Sequence, residues 1–289
     1  MPSTIDLRRR IRSVKNTQQI TKAMKMVSAA KLRRAQERIF SARPYAAALR
    51  EVLASVAARI GAENHPLLQA REQEQNVVVI VVTSDRGLAG AFNTNANRAA
   101  LNFIRDKNFA SVELIPIGRK ANDYFRRRSI KLRRAATQAQ QALSLDTARE
   151  IATSLITAFT NGELDAVYVV YNEFRSIISQ VVRTERLLPL QGTWGEEQQG
   201  ENTIDYLYEP APEKILSELL PKYVEFELYR ILLESAAAEQ GARMTAMEAA
   251  TKNASDMISH LTLTYNRIRQ AAITKEIIEI VSGAAAAGQ

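Results

Sequence analysis

The 289-residue chain has no cysteine, one tryptophan, two histidines, eight prolines and eleven glycines. The missing thiols exclude disulfides, thiolate zinc sites and cysteine nucleophiles, and they fit a reducing compartment. His65 and His260 stand far apart near no acid cluster, one before a proline and the other in a long helical stretch. They read as surface or packing residues and not as metal ligands or general bases. Long apolar runs are also missing. The longest, Val77–Val82, has six residues, where a membrane-spanning helix needs about 20. The start, MPSTIDLRRRIRS, is basic but has no apolar stretch behind it, so no signal peptide is expected. No Gly-x-Ser-x-Gly elbow or paired-carboxylate motif is present. The segment SDRGLAGAFN carries Gly87 and Gly90, which is neither the G-x-G-x-x-G dinucleotide fingerprint nor a Walker motif. It reads as a strand-to-helix turn that needs free backbone.

What is there is helix-forming and basic. Hydrophobic residues make up 46% and charged residues 24% of the chain, enough for a core and against wholesale disorder. Net charge is +8, but it is concentrated. Arg8 to Arg38 holds eleven Lys and Arg against one acid, Glu37. Pairing at i,i+4 cannot neutralise so one-signed a stretch, which therefore calls for an anionic partner.

From Ser3 to Ile60 there is no glycine and one proline, Pro44. Helix formers dominate, and apolar residues recur at helical spacing: Leu7, Ile11, Val14; Ile20, Met24, Val27; Leu32, Ala35, Ile39. Ser3 and Thr4 suit an N-cap. Lys222 to Ser282 has no proline and one glycine, Gly241. Met247, Ala250, Ala254, Met257, Leu261, Tyr265, Ile268 and Ala272 follow a narrow seam that suits a coiled coil. Ile215–Leu220 begins this helix or a short one before it, with Pro221 at a kink or a first turn. About 60 helical residues make a rod of ~90 Å. A ball of this length would have a radius of gyration near ~19 Å. Two such helices at the chain ends pair most simply as a stalk.

Between them the pattern alternates. Strands are expected at Asn76–Val82, Glu113–Gly118 and Ala166–Tyr171, with a returning, edge strand over Ile177–Leu188. Helices are expected at Thr94–Lys107, Lys120–Arg128 and Leu145–Thr160. This is a small Rossmann-like α/β domain with a mostly parallel sheet. The expected divisions are an N-terminal helix over 1–60, the α/β domain over 70–205 and a C-terminal helix over 210–289.

Two end segments, IRSVKNTQQITKAMKMVSAAKLRRAQ (Ile11–Gln36) and ARMTAMEAATKNASDMISHLTLTYNRIRQAAITKEIIEIVSGAAA (Ala242–Ala286), resemble signature stretches of the F-type ATP synthase gamma subunits, as do SDRGLAGAFN and DYLYEP (Asp205–Pro210). The likeness covers nearly the whole chain in order and starts close to Met1, so no transit peptide is expected. It implies a fold in which the terminal helices form an antiparallel coiled-coil stalk above a small α/β foot. It implies a central rotor shaft of a proton- or sodium-translocating complex, with no catalysis and no cofactor of its own. The implied partners are the alpha and beta subunits of the catalytic hexamer, the small epsilon subunit and the membrane c-subunit ring. The implied place is the cytoplasmic face of the bacterial plasma (inner) membrane, peripheral and not spanning it.

The resemblance also implies residue roles. Met24, with Lys22 and Lys25, would face an acidic lever loop of the catalytic subunits. Arg269, Gln270 and Thr274 would meet catalytic-subunit loops. The apolar end, including Ile277, Ile278, Ile280 and Val281, would turn in a hydrophobic bearing. Tyr206 and Tyr208 would lie near epsilon and the rotor ring. Plant chloroplast relatives carry an inserted stretch with two cysteines; the segment between Leu190 and Asp205 has no such insert, so thiol control of rotation is not expected. Two other readings exist. A nucleic-acid-binding coiled coil would use the Arg8–Arg38 stripe, but no aromatic for base stacking occurs before Phe40. An enzyme built on the α/β domain would need catalytic residues that no motif supplies.

Overall fold

The computed structural model describes residues 3–60, 65–128, 130–133, 144–190 and 212–287. The first helix, α1 (Thr4–Ile60), begins at a Ser3 cap: the Asp6 N–H donates to Ser3 Oγ at 3.1 Å, and Ser3 Oγ donates to Asp6 Oδ2 at 2.8 Å. That reciprocal pair satisfies an orphan donor of the first turn. It also holds the Asp6 carboxyl below its ordinary value. The last helix, α5 (Pro212–Ala287), opens on a proline, which loses nothing where the first N–H has no partner. It carries Pro221 and Gly241 within its length. Ile215–Leu220 therefore begins this helix and not a separate one. Along its exposed part, Thr262 and Thr264 bond back to the carbonyls of Ile258 and His260. These hydroxyls are satisfied without leaving the helix.

Between α1 and α5 run β1 (Asn76–Val82), α2 (Phe92–Lys107), β2 (Ser111–Ile117), α3 (Arg119–Phe125), β3 (Lys131–Leu132), α4 (Leu145–Thr160), β4 (Ala166–Phe174) and β5 (Gln180–Leu188). The sheet order is β3-β2-β1-β4-β5, parallel except for antiparallel β5. The returning edge strand is thus where the sequence places it. β3 was not foreseen; two residues are too few to leave a periodic signal. The edges are blunted by shortness at β3 and by Arg183, Glu185 and Arg186 on β5.

β1 is buried on both faces, which explains its unbroken Val/Ile run. Val77, Val79 and Val81 pack with residues of α2 and α3, including Ala100, Ala121 and Phe125. Val78, Ile80 and Val82 pack with α4 residues Ala152 and Leu155, with Leu49 and Leu53 of α1, and with Leu216 to Leu232 of α5. Each of the buried Val, Ile, Leu and Phe side chains contributes about 1.5–3 kcal/mol by leaving water, and each alanine methyl about 0.8 kcal/mol.

The residues group into two compact units. One comprises Ser28–Arg243, including the sheet domain; the other comprises Met1–Val27 and Met244–Gln289.

Candidate functional site

In the terminal unit the two helices pair antiparallel. Arg8 Nη2 donates to Tyr265 Oη at 2.7 Å, Thr251 Oγ1 donates to Thr21 Oγ1 at 2.8 Å, and Lys25 Nζ meets Glu248 Oε1 at 2.6 Å. The α5 partner retreats as α1 advances. Leu7, Ile11, Val14, Gln18, Thr21 and Lys25 are shielded at a regular 4-3 spacing on α1, and Met24 beside Lys25 is half-buried as the sequence pattern expects. On α5 the shielded positions include Met247, Ala250, Thr251, Ala254, Ile258, Leu261, Tyr265 and Ile268.

This seam corrects the sequence reading in its middle. Ile20 and Val27 are 60% and 54% exposed, and Met257 is 53% exposed. Ala272 faces solvent as well. Polar residues hold the register instead, and the two threonine hydroxyls satisfy each other. Carrying the 4-3 spacing forward from Leu7 without demanding an apolar residue at each step would have found it.

Of the residues expected to meet partners, Lys22 is exposed, Met24 is half-buried, and Lys25 is half-buried with its ammonium held by Glu248. Lys25 thus occupies a seam position with Met24 beside it, while Lys22 points to solvent. Arg269, Gln270 and Thr274 are exposed. The Thr274 hydroxyl bonds to the Gln270 carbonyl at 2.9 Å. Since α1 starts at Thr4 and Arg8 faces Tyr265, α5 runs out of α1 partner close to Arg269. Beyond that it has no partner among the described residues, with Ile277, Ile278, Ile280 and Val281 at 55%, 59%, 70% and 62% exposure. Tyr206 and Tyr208 lie outside the described residues.

In the sheet unit, the most constrained feature is the loop after β1, at the point where strand order reverses between β1 and β4. Ser84 N and Oγ both donate to Asn93 Oδ1, at 2.9 Å each. Asp85 Oδ1 accepts from the Arg119 N–H at 2.9 Å. Thr83 Oγ1 donates to the Ile117 carbonyl and accepts from the Ala121 N–H. Leu88 projects into solvent with φ of 63°, and Gly90 follows with φ of 56°. Such strain in a non-glycine residue persists only where its surroundings hold it. Here the brace is Arg243 on α5. Its Nη2 donates to the carbonyls of Arg86 and Gly87 at 3.5 and 3.3 Å, and its Nη1 pairs with buried Glu239 at 2.6 Å. Nothing in the sequence pattern marked Arg243; its partner is a backbone carbonyl more than 150 positions away.

A second polar network ties α5 to the β4–β5 pair. Arg230 lies 2.6 Å from Glu227, 2.8 Å from Glu234 and 3.3 Å from Glu185, whose carboxylate accepts from the Tyr171 hydroxyl. Burial pushes the Tyr171 phenol and the Glu234 carboxyl up. Burial also works against the Arg230 charge, but Glu227 and its neighbours outweigh it, so the guanidinium stays charged. His65 is a turn residue whose Nδ1 accepts the Leu67 N–H at 3.2 Å, and burial pulls its pKa down. His260 is exposed.

Among the described residues, no three His, Cys, Asp or Glu side chains are grouped to hold a metal ion. Nor is any described helix long and apolar enough to cross a membrane. The arrangement offers mechanical parts: a polar-centred helix pair, a solitary apolar helix end and a braced loop.

Residues 3–287 match the ATP synthase family. The chain is 54% identical to the ATP synthase gamma chain of Solibacter usitatus over 99% of its length and all of that protein. It is 49% identical to the ATP synthase gamma chain of Chlorobaculum tepidum over the full length of both. Among solved structures, it resembles a chain in the central stalk and c-ring of the Tetrahymena thermophila mitochondrial ATP synthase, with a TM-score of 0.59 at 26% identity, covering 80% of this chain and 99% of that one. It also resembles a chain in the Euglena gracilis mitochondrial ATP synthase assembly of OSCP, F1 and c-ring, with a TM-score of 0.68 at 22% identity, covering 98% and 94%.

Proposed function

The chain belongs to the ATP synthase gamma-chain family, and from this premise we propose that it turns as the central shaft between a membrane c-ring and a ring of alpha and beta subunits. It is a stalk subunit and carries no catalysis. Rotation driven by proton or sodium flow deforms each catalytic subunit in turn and releases ATP; hydrolysis drives the reverse.

The observation that carries this reading is the terminal unit. Its antiparallel pair exposes cations and isolated apolar side chains on α1, and then hands over to a single helix with an apolar surface. A shaft that meets three similar partners in turn must hold none of them tightly. Exposed, salt-screened contacts of 0–1 kcal/mol each suit that better than a buried hot spot. In this reading Lys22, Met24 and Lys25 face the acidic lever loop, with Lys25 also anchored to Glu248. Arg269, Gln270 and Thr274 meet catalytic-subunit loops. Ile277, Ile278, Ile280 and Val281 turn in the apolar bearing, whose walls would cover side chains that are otherwise in water. Tyr206 and Tyr208 meet epsilon and the rotor ring. The working division is shaft helices over 1–60 and 210–289 with a foot over 70–205, and the assembly sits on the cytoplasmic face of a bacterial plasma membrane.

The test is direct. The chain is co-expressed with alpha and beta subunits, a bead is attached to the foot domain through an introduced cysteine, and the complex is watched under ATP. Stepwise rotation in one direction is expected. A well-assembled, ATP-hydrolysing complex whose bead never turns would overturn the reading and leave the chain a static plug.

A further inference from the structure

The sheet domain carries an edge with a strong excess of positive charge. β1, β2 and β3 are parallel, so α2 and α3, which connect them, run back and end at the edge where β2 and β3 begin. That edge collects Arg105 and Lys107 from the last turn of α2, then Arg126, Arg127 and Arg128 after α3, and Lys131 opening β3. All six are exposed. Two exposed acids, Asp106 on α2 and Asp123 on α3, stand among these six cations and leave a clear positive excess. Glu113 is shared by Lys131 and Arg133, so one carboxylate serves two cations. Arg128 lies 3.5 Å over the Tyr124 ring and donates to the Tyr124 carbonyl, which fixes its position without cancelling its charge. Arg105, Lys107, Arg126 and Arg127 have no ion-pair partner among the described residues.

Like charges brought together repel, and at an exposed edge the cost is met only by screening or by an anionic surface. Protein footprints centre on apolar or aromatic anchors. Among the described residues, no large apolar side chain between Leu88 and Leu145 is exposed. An arginine-rich edge without an exposed apolar anchor instead fits a diffuse sheet of negative charge. Base stacking has no free ring to use, since Tyr124 is half-buried beneath Arg128.

We infer that this edge, Arg105, Lys107, Arg126, Arg127, Arg128 and Lys131, rides on the anionic lipid headgroups of the membrane surface. The choice of lipid over other polyanions rests on the peripheral-membrane reading above. Groups of 4–8 cations at a membrane surface suit acidic phospholipids, each contributing about 1 kcal/mol and fading within a Debye length.

Because the chain has no cysteine, single reporters can be placed cleanly. A fluorophore on Asp123→Cys sits beside the edge on α3; one on Ser154→Cys sits on α4, which packs on the opposite face of the sheet. The full-length chain is mixed with vesicles containing phosphatidylglycerol and a headgroup-level quencher, or with phosphatidylcholine vesicles. Quenching is expected at position 123 and not at 154, only with phosphatidylglycerol, and reversed by 0.5 M salt (roughly a Debye length of 4 Å). The triple variant R105Q/R126Q/R127Q is expected to weaken that quenching on the order of 100-fold. Vesicle binding without quenching at 123 would mean that the α1 cations carry it, and would overturn the proposal. So would equal quenching at both positions, an unaffected triple variant, or a label at 123 that responds to duplex DNA more strongly than to the vesicles. Co-purification of the triple variant with alpha and beta subunits is scored alongside; retained assembly with lost quenching separates this edge from the shaft reading.

Discussion

Arg243 on α5 donates through Nη2 to the carbonyl of Gly87 at 3.3 Å while its Nη1 pairs with Glu239. One side chain therefore holds both a helix and the exposed loop of the sheet domain. Glu239 is only 5% exposed and Arg243 only 9%. Arg243→Ala removes this cation from a buried carboxylate, together with its bonds to the loop carbonyls, and is expected to cost about 1.5–3 kcal/mol in urea unfolding of the full chain. Adding Glu239→Gln removes that charge, so the double variant should recover part of the loss. If the double variant loses the sum of both single costs, the two residues do not act as a pair.

Gly118 has φ of 90°, and a Cβ built there would lie 2.2 Å from the Thr83 carbonyl oxygen. Main chain on both sides leaves nothing flexible to yield. Gly162 has φ of 77° but open space around it. Gly118→Ala should therefore cost well over 3 kcal/mol or prevent folding, whereas Gly162→Ala should cost about 1 kcal/mol from backbone strain alone. Thermal melts of the two variants decide this, and equal losses would rule out the steric account.

The parts legible beforehand share one property: their signal lies in consecutive residues. β1 announces itself as a run from Val77 to Val82, and α4 lies between Leu145 and Thr160 as its pattern indicates. The helix pair was legible as two long glycine-poor stretches. The position of the middle seam was not, because Gln18, Thr21 and Lys25 took positions that an apolar rule assigns elsewhere, leaving Ile20 and Val27 in water. The Arg243 brace and the Arg230 network were equally hidden. They join residues up to 157 positions apart through carbonyls and carboxylates that carry no periodicity. The basic edge was hidden for a topological reason: Arg105 and Arg126 share it only because α2 and α3 both run back across parallel strands.

The Thr21–Thr251 contact gives a test of the polar seam. Thr251 Oγ1 donates to Thr21 Oγ1, which in turn bonds to the Gln18 carbonyl at 3.0 Å. Thr251→Val leaves one shielded hydroxyl with fewer partners and should cost about 1 kcal/mol. Changing both residues to Val removes both polar groups at similar volume and should be close to neutral or stabilising. A double-mutant cycle in denaturant reads the coupling, and strict additivity would mean that the hydroxyls do not interact.

His65 makes stability depend on pH in one direction. Burial holds its folded pKa below the ordinary histidine value of about 6.5, and its neutral Nδ1 accepts the Leu67 N–H. The unfolded chain takes up the proton first as pH falls. The contribution of His65 is therefore fully present above about 6.5 and is lost as pH drops through the lower folded value. Chemical unfolding of the wild type and His65→Asn between pH 7.5 and 5 should show a steeper decline below 6.5 in the wild type. Parallel curves would assign that decline to other groups.

Met24 offers the sharpest test of the shaft reading, because it stands half-buried between Lys22 and Lys25 and one change adds a cation to that face. In the proposed assembly Met24→Lys gives the acidic lever loop an additional ion pair. An exposed pair contributes roughly 0.2–1 kcal/mol, and if it forms in only one rotary position it slows departure from that position by up to about five-fold. ATP synthesis driven by ion flow should fall while assembly of the complex and its composition stay unchanged. Because the added contact is exposed, raising ionic strength should restore part of the coupling. Unchanged synthesis per ion transported, or a loss that salt does not relieve, would place Met24 away from the acidic partner and return its role to that of a half-buried residue beside the helix seam.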